Sequence, residues 1–408
     1  MNRDVFLNDT TMRDGEQAPG VSFTIAEKLE LAESLAAAGI PEIEIGTPSM
    51  GGDEIETIRA AVARSLPVRL TAWCRMTSRD LEAAIESGVT AVNLSLPASD
   101  IQLAAKLGLD QGAALQIIAQ MVGRAAAHGF FVAVGCEDAS RADRDHLARV
   151  IETAARAGAS RVRLADTVGV LDPFSTFEIV AQLAALSPID LEFHAHNDLG
   201  LAVANTLAAI RAGARHASVT VLGLGERAGN AALEEVATAM AVLDGADTGI
   251  ELTALPDLAA QVAWAACRQT AAMKPIVGAD VFSHESGIHV AGLLKDPRTY
   301  QGLDPALVGR CRRIVIGKHS GATAIAYVLG DSGRDLDPDL AAAMVARVRR
   351  KATETKSTVT ATQLVELYDT LRSEAAGRDL ESSRWRCHSS STISSGLVAA
   401  RGGVKPLG

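Results

Sequence analysis

The chain has 408 residues and a net charge of −10, with hydrophobic residues at 48% and aromatics at only 3%. That length admits one α/β barrel of about 250 residues plus an appendage, with a core of Ala, Val, Leu and Ile rather than rings. An acidic chain without a long basic run excludes nucleic acid and anionic membrane as main partners, leaving a small-molecule enzyme as the better fit.

Val5-Phe6-Leu7 reads as a first strand leading into the polar loop Asn8 to Gln17. Thr24 with Glu27 three residues on is a capping box opening a helix to about Ala38, and Gly39 ends it. Strands follow at Ile43–Gly46 and Val68–Trp73, with a helix from about Asp53 to Ser65 between them.

The same pattern then recurs: a helix closed by glycine, an apolar strand, a polar loop. Gly88 precedes Ala91–Leu94, Gly129 precedes Phe130–Val134, Gly158 precedes Arg161–Leu164, and Gly213 precedes Ala217–Val221. With a strand at Leu191–His194 this makes eight β-then-α units, which predicts a (β/α)8 TIM barrel over an open doubly wound sheet. Residues 1–245 are expected to form the catalytic barrel and 246–330 a linker or lid subdomain contributing to the active site. Helices are expected over 331–381 and a Ser- and Gly-rich disordered tail over 382–408.

Cys74, Cys136, Cys267, Cys311 and Cys387 are scattered without a CxxC pair, so neither a disulfide framework nor a structural zinc site is expected. The N-terminus has no apolar signal core and the chain no run of about 18 apolar residues, which predicts a cytoplasmic protein.

Chemistry collects where barrels of this kind carry it, after the C-terminal ends of the strands. Arg13, Asp14 and Glu16 follow the first strand, Arg75 the third, Glu137 and Asp138 the fifth, Asp166 and Thr167 the sixth, and Glu226, Arg227 and Asn230 the eighth. On the seventh, His194 and His196 lie two apart and so project to one face. With Asp14 they would make a two-imidazole, one-carboxylate set suited to Mg2+, Mn2+, Fe2+, Co2+ or Zn2+. Glu42 and Glu44 share a strand face and point into the barrel, where a buried carboxylate needs a partner; Arg13 is the nearest candidate by topology.

Four segments carry a family resemblance: Asp9-Thr10-Thr11-Met12-Arg13-Asp14-Gly15-Glu16-Gln17, His194-Ala195-His196-Asn197-Asp198-Leu199-Gly200, Gly223-Leu224-Gly225-Glu226-Arg227-Ala228-Gly229-Asn230 and Ser286-Gly287-Ile288-His289. In this order, over about residues 4–330, they resemble the isopropylmalate/homocitrate/citramalate synthase family of the DRE-TIM metallolyase superfamily. Val134 to Asp143 is most similar to its homocitrate branch from nitrogen-fixing bacteria.

The resemblance implies a Claisen-type condensation of acetyl-CoA with a 2-oxo acid, 2-oxoglutarate first, followed by thioester hydrolysis. It implies one divalent metal, Mg2+ or Mn2+ foremost, on Asp14, His194 and His196 with Asn230 nearby, polarising the ketone as a Lewis acid. It gives Arg13 the stabilisation of oxygen charge, Thr167 the 2-oxo acid's carboxylate, and His289 the acetyl proton, with Glu137 and Tyr300 assisting. It also implies a homodimer in which the segment with His289 reaches the partner's barrel.

Glu44 is expected beside the substrate, and Arg75 as the clamp on a second carboxylate. Lysine-pathway homocitrate synthases have a His where Arg75 aligns and an Arg where this chain has Ala133, so that clamp is expected to be built differently here. Isopropylmalate or citramalate synthesis is the alternative within the same chemistry, and a metal-dependent aldolase or lyase the alternative outside it. The two helices and Ser-rich tail expected after Leu329 are too little for a leucine-binding regulatory domain, so leucine feedback by that route is not expected.

Overall fold

The computed structural model describes residues 4–389. They divide into two compact units, one running to residue 281 and including 303–311, the other built from 282–302 and the chain after 311.

In the first unit eight parallel strands close a barrel in chain order. They are β1 (Phe6–Asp9), β2 (Glu42–Gly46), β3 (Arg69–Arg75), β4 (Ala91–Pro97), β5 (Phe131–Glu137), β6 (Arg161–Asp166), β7 (Asp190–Ala195) and β8 (His216–Val219), and β8 returns to pair with β1. The expected TIM barrel is therefore the observed one. Its helices begin where short polar side chains cap them: Thr24 forms the capping box before Ile25–Ala37, and Asp110, Asp143 and Asp172 cap the helices that precede β5, β6 and β7. Val92, Leu94, Val132, Val134, Val162, Leu164, Leu191 and Phe193 point outward and are buried in the core shared with the helices.

Inward-facing residues are largely polar, unlike the usual branched apolar filling of such barrels. Arg161 on β6 reaches across to Glu42 on β2, with one contact of 2.9 Å, and pairs with Glu192 on β7 at 2.8 Å. One layer higher, Arg163 pairs with Glu44 at 2.9 Å and Glu192 at 3.1 Å. Charges of alternating sign thus rise from Glu42 to Arg13, which meets Glu44 at 2.6 Å. Buried ions are tolerated only when paired and hydrogen-bonded, and here each has at least two partners.

Residues 246–281, set apart by sequence as part of a linker, belong to the barrel unit. In the second unit β9 (Ser283–His284) pairs in parallel with β10 (Arg313–Ile314). Helices Gly287–Lys295, Ala322–Asp331, Ala341–Thr355 and Ala361–Ser389 accompany them, around a core that includes Ile325, Met344, Val348, Leu364 and Tyr368. The last helix runs past residue 382, where a disordered tail was expected to begin; the rest of that expected tail, 390–408, lies outside the described residues.

Candidate metal centre and active site

The loop after β1 is wound tightly: the backbone N–H groups of Arg13, Asp14 and Gly15 all donate to the Thr10 carbonyl. Asp9 fastens its start by accepting from the Thr11 N–H at 2.9 Å and the Thr11 hydroxyl at 2.7 Å. Burial, with Glu44 and Glu234 nearby, pushes the Asp9 carboxyl up to about 7.

This turn delivers Asp14 to His194, at the end of β7, and to His196 just beyond it. His194 Nε2 and His196 Nε2 are 3.3 Å apart, and Asp14 Oδ2 lies 3.6 Å from the first and 3.9 Å from the second. The carboxylate is too far from either nitrogen for a hydrogen bond, so three potential ligand atoms converge although only the two imidazole nitrogens are within hydrogen-bond reach of each other. It is the one such His/Cys/Asp/Glu trio among the described residues, and all three members are buried. Burial, resisting the pull of Asp14, takes His194 down to about 3 and lowers His196. Burial would raise Asp14, but Arg13, then His194 and His196, hold it down to about 2. Two neutral imidazoles and one ionised carboxylate fit a divalent cation.

Outer partners orient each member. His194 Nδ1 lies 3.1 Å from the Ser218 hydroxyl on β8, which leaves Nε2 directed at the trio. Asp14 Oδ1 accepts from Arg13 Nη1 at 2.6 Å, and Oδ2 accepts from Asn230 Nδ2 at 2.8 Å. Asn230 therefore turns its amide nitrogen, not the oxygen expected of a ligand, toward the centre. The loop that carries it is folded by Gly229 (φ +83°), where any Cβ would strike the Gly223 carbonyl.

Glu44 is occupied differently from the expectation that it faces substrate. Oε2 accepts from Arg13 Nε and the Thr10 hydroxyl at 2.7 Å each, and Oε1 from Asn93 at 3.0 Å and Arg163 at 2.9 Å. Its geometry holds Arg13. That guanidinium uses three N–H groups on Glu44 and Asp14 and retains two of its five.

Arg75 departs from expectation as well. Its Nε and Nη2 donate to Asp80 at 3.0 and 2.9 Å, which ties the side chain to the helix Ser78–Ser87 instead of leaving it free to clamp a carboxylate. Thr167 stands at the rim, its hydroxyl oxygen accepting from the Asp138 N–H at 2.8 Å. Glu137 accepts from the Ser95 hydroxyl at 3.2 Å and is paired with Lys106. In the second unit His289 and Tyr300 stack with ring centroids 4.2 Å apart.

Sequence reasoning missed Ser218 and the ladder of Arg161, Arg163 and Glu192. The ladder had left a trace: Arg161 and Arg163 alternate with Val162 and Leu164, and Glu192 alternates with Leu191 and Phe193, a two-residue period placing charge on the inward face. Ser218 leaves none.

A closed (β/α)8 barrel with a carboxylate and two imidazoles gathered at its C-terminal rim defines a class of enzymes built around one divalent cation. Residues 4–262 match the HMGL-like family and residues 276–356 the homocitrate synthase post-HMGL domain-like family, so the chain belongs to the HMGL-like family. It is 43% identical to homocitrate synthase 1 of Nostoc sp., over 93% of this chain and 100% of the relative. It is also 43% identical to 2-isopropylmalate synthase 2 of Caldanaerobacter subterraneus, over 90% and 96%. Among solved structures, hydroxymethylglutaryl-CoA lyase from Pseudomonas aeruginosa is similar at a TM-score of 0.58 and 26% identity, over 64% of this chain and 93% of the lyase.

Proposed function

We propose that the protein is a homocitrate synthase, an acyltransferase that condenses acetyl-CoA with 2-oxoglutarate and hydrolyses the thioester to give homocitrate and CoA. The observation that carries the reading is full-length similarity to a relative of that name, joined to a post-barrel region similar to the homocitrate synthase post-HMGL domain. A lyase reading has less support, because the lyase likeness covers 64% of this chain. 2-Isopropylmalate synthesis is the second reading, favoured by equal identity to a relative so named.

Asp14, His194 and His196 would hold one divalent cation, Mg2+ or Mn2+ foremost, with Asn230 orienting Asp14. When bound, the ion supplies Lewis-acid polarisation of the 2-oxo group. The two remaining Arg13 N–H groups donate to oxygen carrying developing negative charge, in a site where Glu44 has already fixed the guanidinium. The Thr167 hydroxyl donates to the substrate carboxylate. His289 takes a proton from the acetyl methyl group, with Tyr300 stacked on it and Glu137 assisting. We further propose a cytoplasmic homodimer with composite sites, working in supply of homocitrate for the nitrogenase iron-molybdenum cofactor.

The test follows release of free CoA thiol from acetyl-CoA with 2-oxoglutarate, 2-oxoisovalerate and pyruvate in parallel, in Mg2+ or Mn2+ buffer. The highest kcat/KM is expected with 2-oxoglutarate. A higher value with 2-oxoisovalerate or pyruvate would sink the substrate assignment and leave the condensation chemistry standing.

A further inference from the structure

A dicarboxylic 2-oxo acid brings a second carboxylate, and several cations around the barrel mouth are already engaged. Arg75 is held by Asp80, Lys106 by Glu137, Arg227 by Asp198, and Arg163 by Glu44 and Glu192. Arg13 is divided between Glu44 and Asp14. Each cation keeps N–H groups of its own, but turning its head fully toward the mouth would loosen these pairs, so a neutral donor with no partner to give up is the less costly receiver.

One such donor stands beside Arg13. Along β3 the side chain of Thr71 faces inward, bonding Glu42 at 2.8 Å, while Leu70, Ala72 and Cys74 are buried in the outer core. Alternation therefore turns Trp73 inward, one layer above Thr71. Its register partner is Asn93, itself bonded to Glu44. The Arg13 guanidinium lies over the Trp73 ring, 5.3 Å from its centroid.

Trp73 is half-buried, whereas Ala72 and Cys74 on either side are fully buried, so part of the indole is open at the mouth. No hydrogen-bond acceptor for its ring N–H occurs among the described residues. A tryptophan with one polar edge accessible and an apolar body packed is suited to receive a ligand oxygen.

Resting on the homocitrate synthase reading, we propose that Trp73 is the specificity-determining residue for 2-oxoglutarate: its indole N–H donates to the carboxylate remote from the ketone. Its ring face meanwhile keeps Arg13 in place by a cation–π contact. This assigns to Trp73 the task that Arg75, tied to Asp80, does not perform.

The experiment compares wild type with Trp73→Phe, which retains an aromatic face for Arg13 and loses the N–H. The ratio of kcat/KM for 2-oxoglutarate to that for pyruvate is expected to fall about 10-fold or more, the usual worth of one hydrogen bond to a charged oxygen. The loss should appear in KM for 2-oxoglutarate. Indole emission, measured with Mg2+ present and acetyl-CoA absent, should respond to 2-oxoglutarate in wild type and lose that response in the variant. Thermal unfolding of the variant within about 4 °C of wild type shows that the fold is kept.

A wild type that prefers 2-oxoglutarate, with an unchanged ratio in Trp73→Phe, overturns this inference alone. A wild type that prefers 2-oxoisovalerate or pyruvate overturns the homocitrate reading and this inference with it.

Discussion

Arg13 and Asp14 are neighbours in sequence whose side chains meet again at 2.6 Å, so that one carboxylate oxygen serves the guanidinium and the other faces His194 and His196. Asp14 thereby couples Arg13 to the trio that would hold the cation. Asp14→Asn should weaken Mn2+ binding, read by titration calorimetry, by more than the roughly 100-fold that loss of an outer partner costs. Unchanged affinity would remove Asp14 from the ligand set.

Ser218 touches only the far nitrogen of His194 in this centre, so its removal isolates orientation from ligation. Ser218→Ala should cost about 10-fold in Mn2+ affinity, at the lower end for an outer-shell partner, with thermal unfolding little altered. A lowered unfolding temperature with unchanged Mn2+ affinity would make the serine a packing residue.

The histidines' lowered protonation has a consequence for pH. A group whose folded pKa is depressed to about 3, as at His194, stays neutral and ready to bind down to acid pH. An ordinary histidine would lose affinity about 10-fold between pH 7.5 and 5.5 by proton competition. Mn2+ affinity should instead fall by clearly less than that over the range, since both imidazoles are shifted down. A fall of about 10-fold or more would show that His194 or His196 titrates normally.

Arg161 joins Glu42 to Glu192 in the barrel interior and is fully buried. Arg161→Met leaves both acids short of a cation, and urea unfolding should show a loss of about 3–5 kcal/mol. Adding Glu192→Gln to Arg161→Met should recover part of that loss, since an unpaired charge costs more than a missing pair. Purely additive losses would argue that the two act separately.

The proposed dimer has its own test. Asp14→Ala and His289→Ala variants, each inactive, are mixed under conditions that exchange subunits. Composite sites should restore about a quarter of wild-type activity, because half the dimers are mixed and each holds one intact site. No recovery despite demonstrated exchange would place Asp14 and His289 in the same chain's site.

The barrel was readable because its strands repeat a simple signal, apolar residues, with a glycine-closed helix before five of the eight. The gathering of Asp14, His194 and His196 was readable because the two histidines fall two apart on a strand and Asp14 follows β1. Roles that depend on where a charged head turns were not. Arg75 sits at the rim as position predicts, but whether it faces the mouth or Asp80 depends on a side chain from the next helix, five residues on. Glu44 points inward as alternation predicts, yet its partners come from the loop after β1, from β4 and from β6, and no local pattern records which of them reaches it.

Glu42 and Arg161 lie 119 residues apart, on strands facing each other across the barrel rather than side by side. Such contacts form only when the ring of strands closes, after much of the apolar surface has been buried. Interactions made late in folding do little to speed assembly and mainly retard opening. The charged interior therefore acts on lifetime more than on yield: it favours a barrel that, once closed, is slow to open.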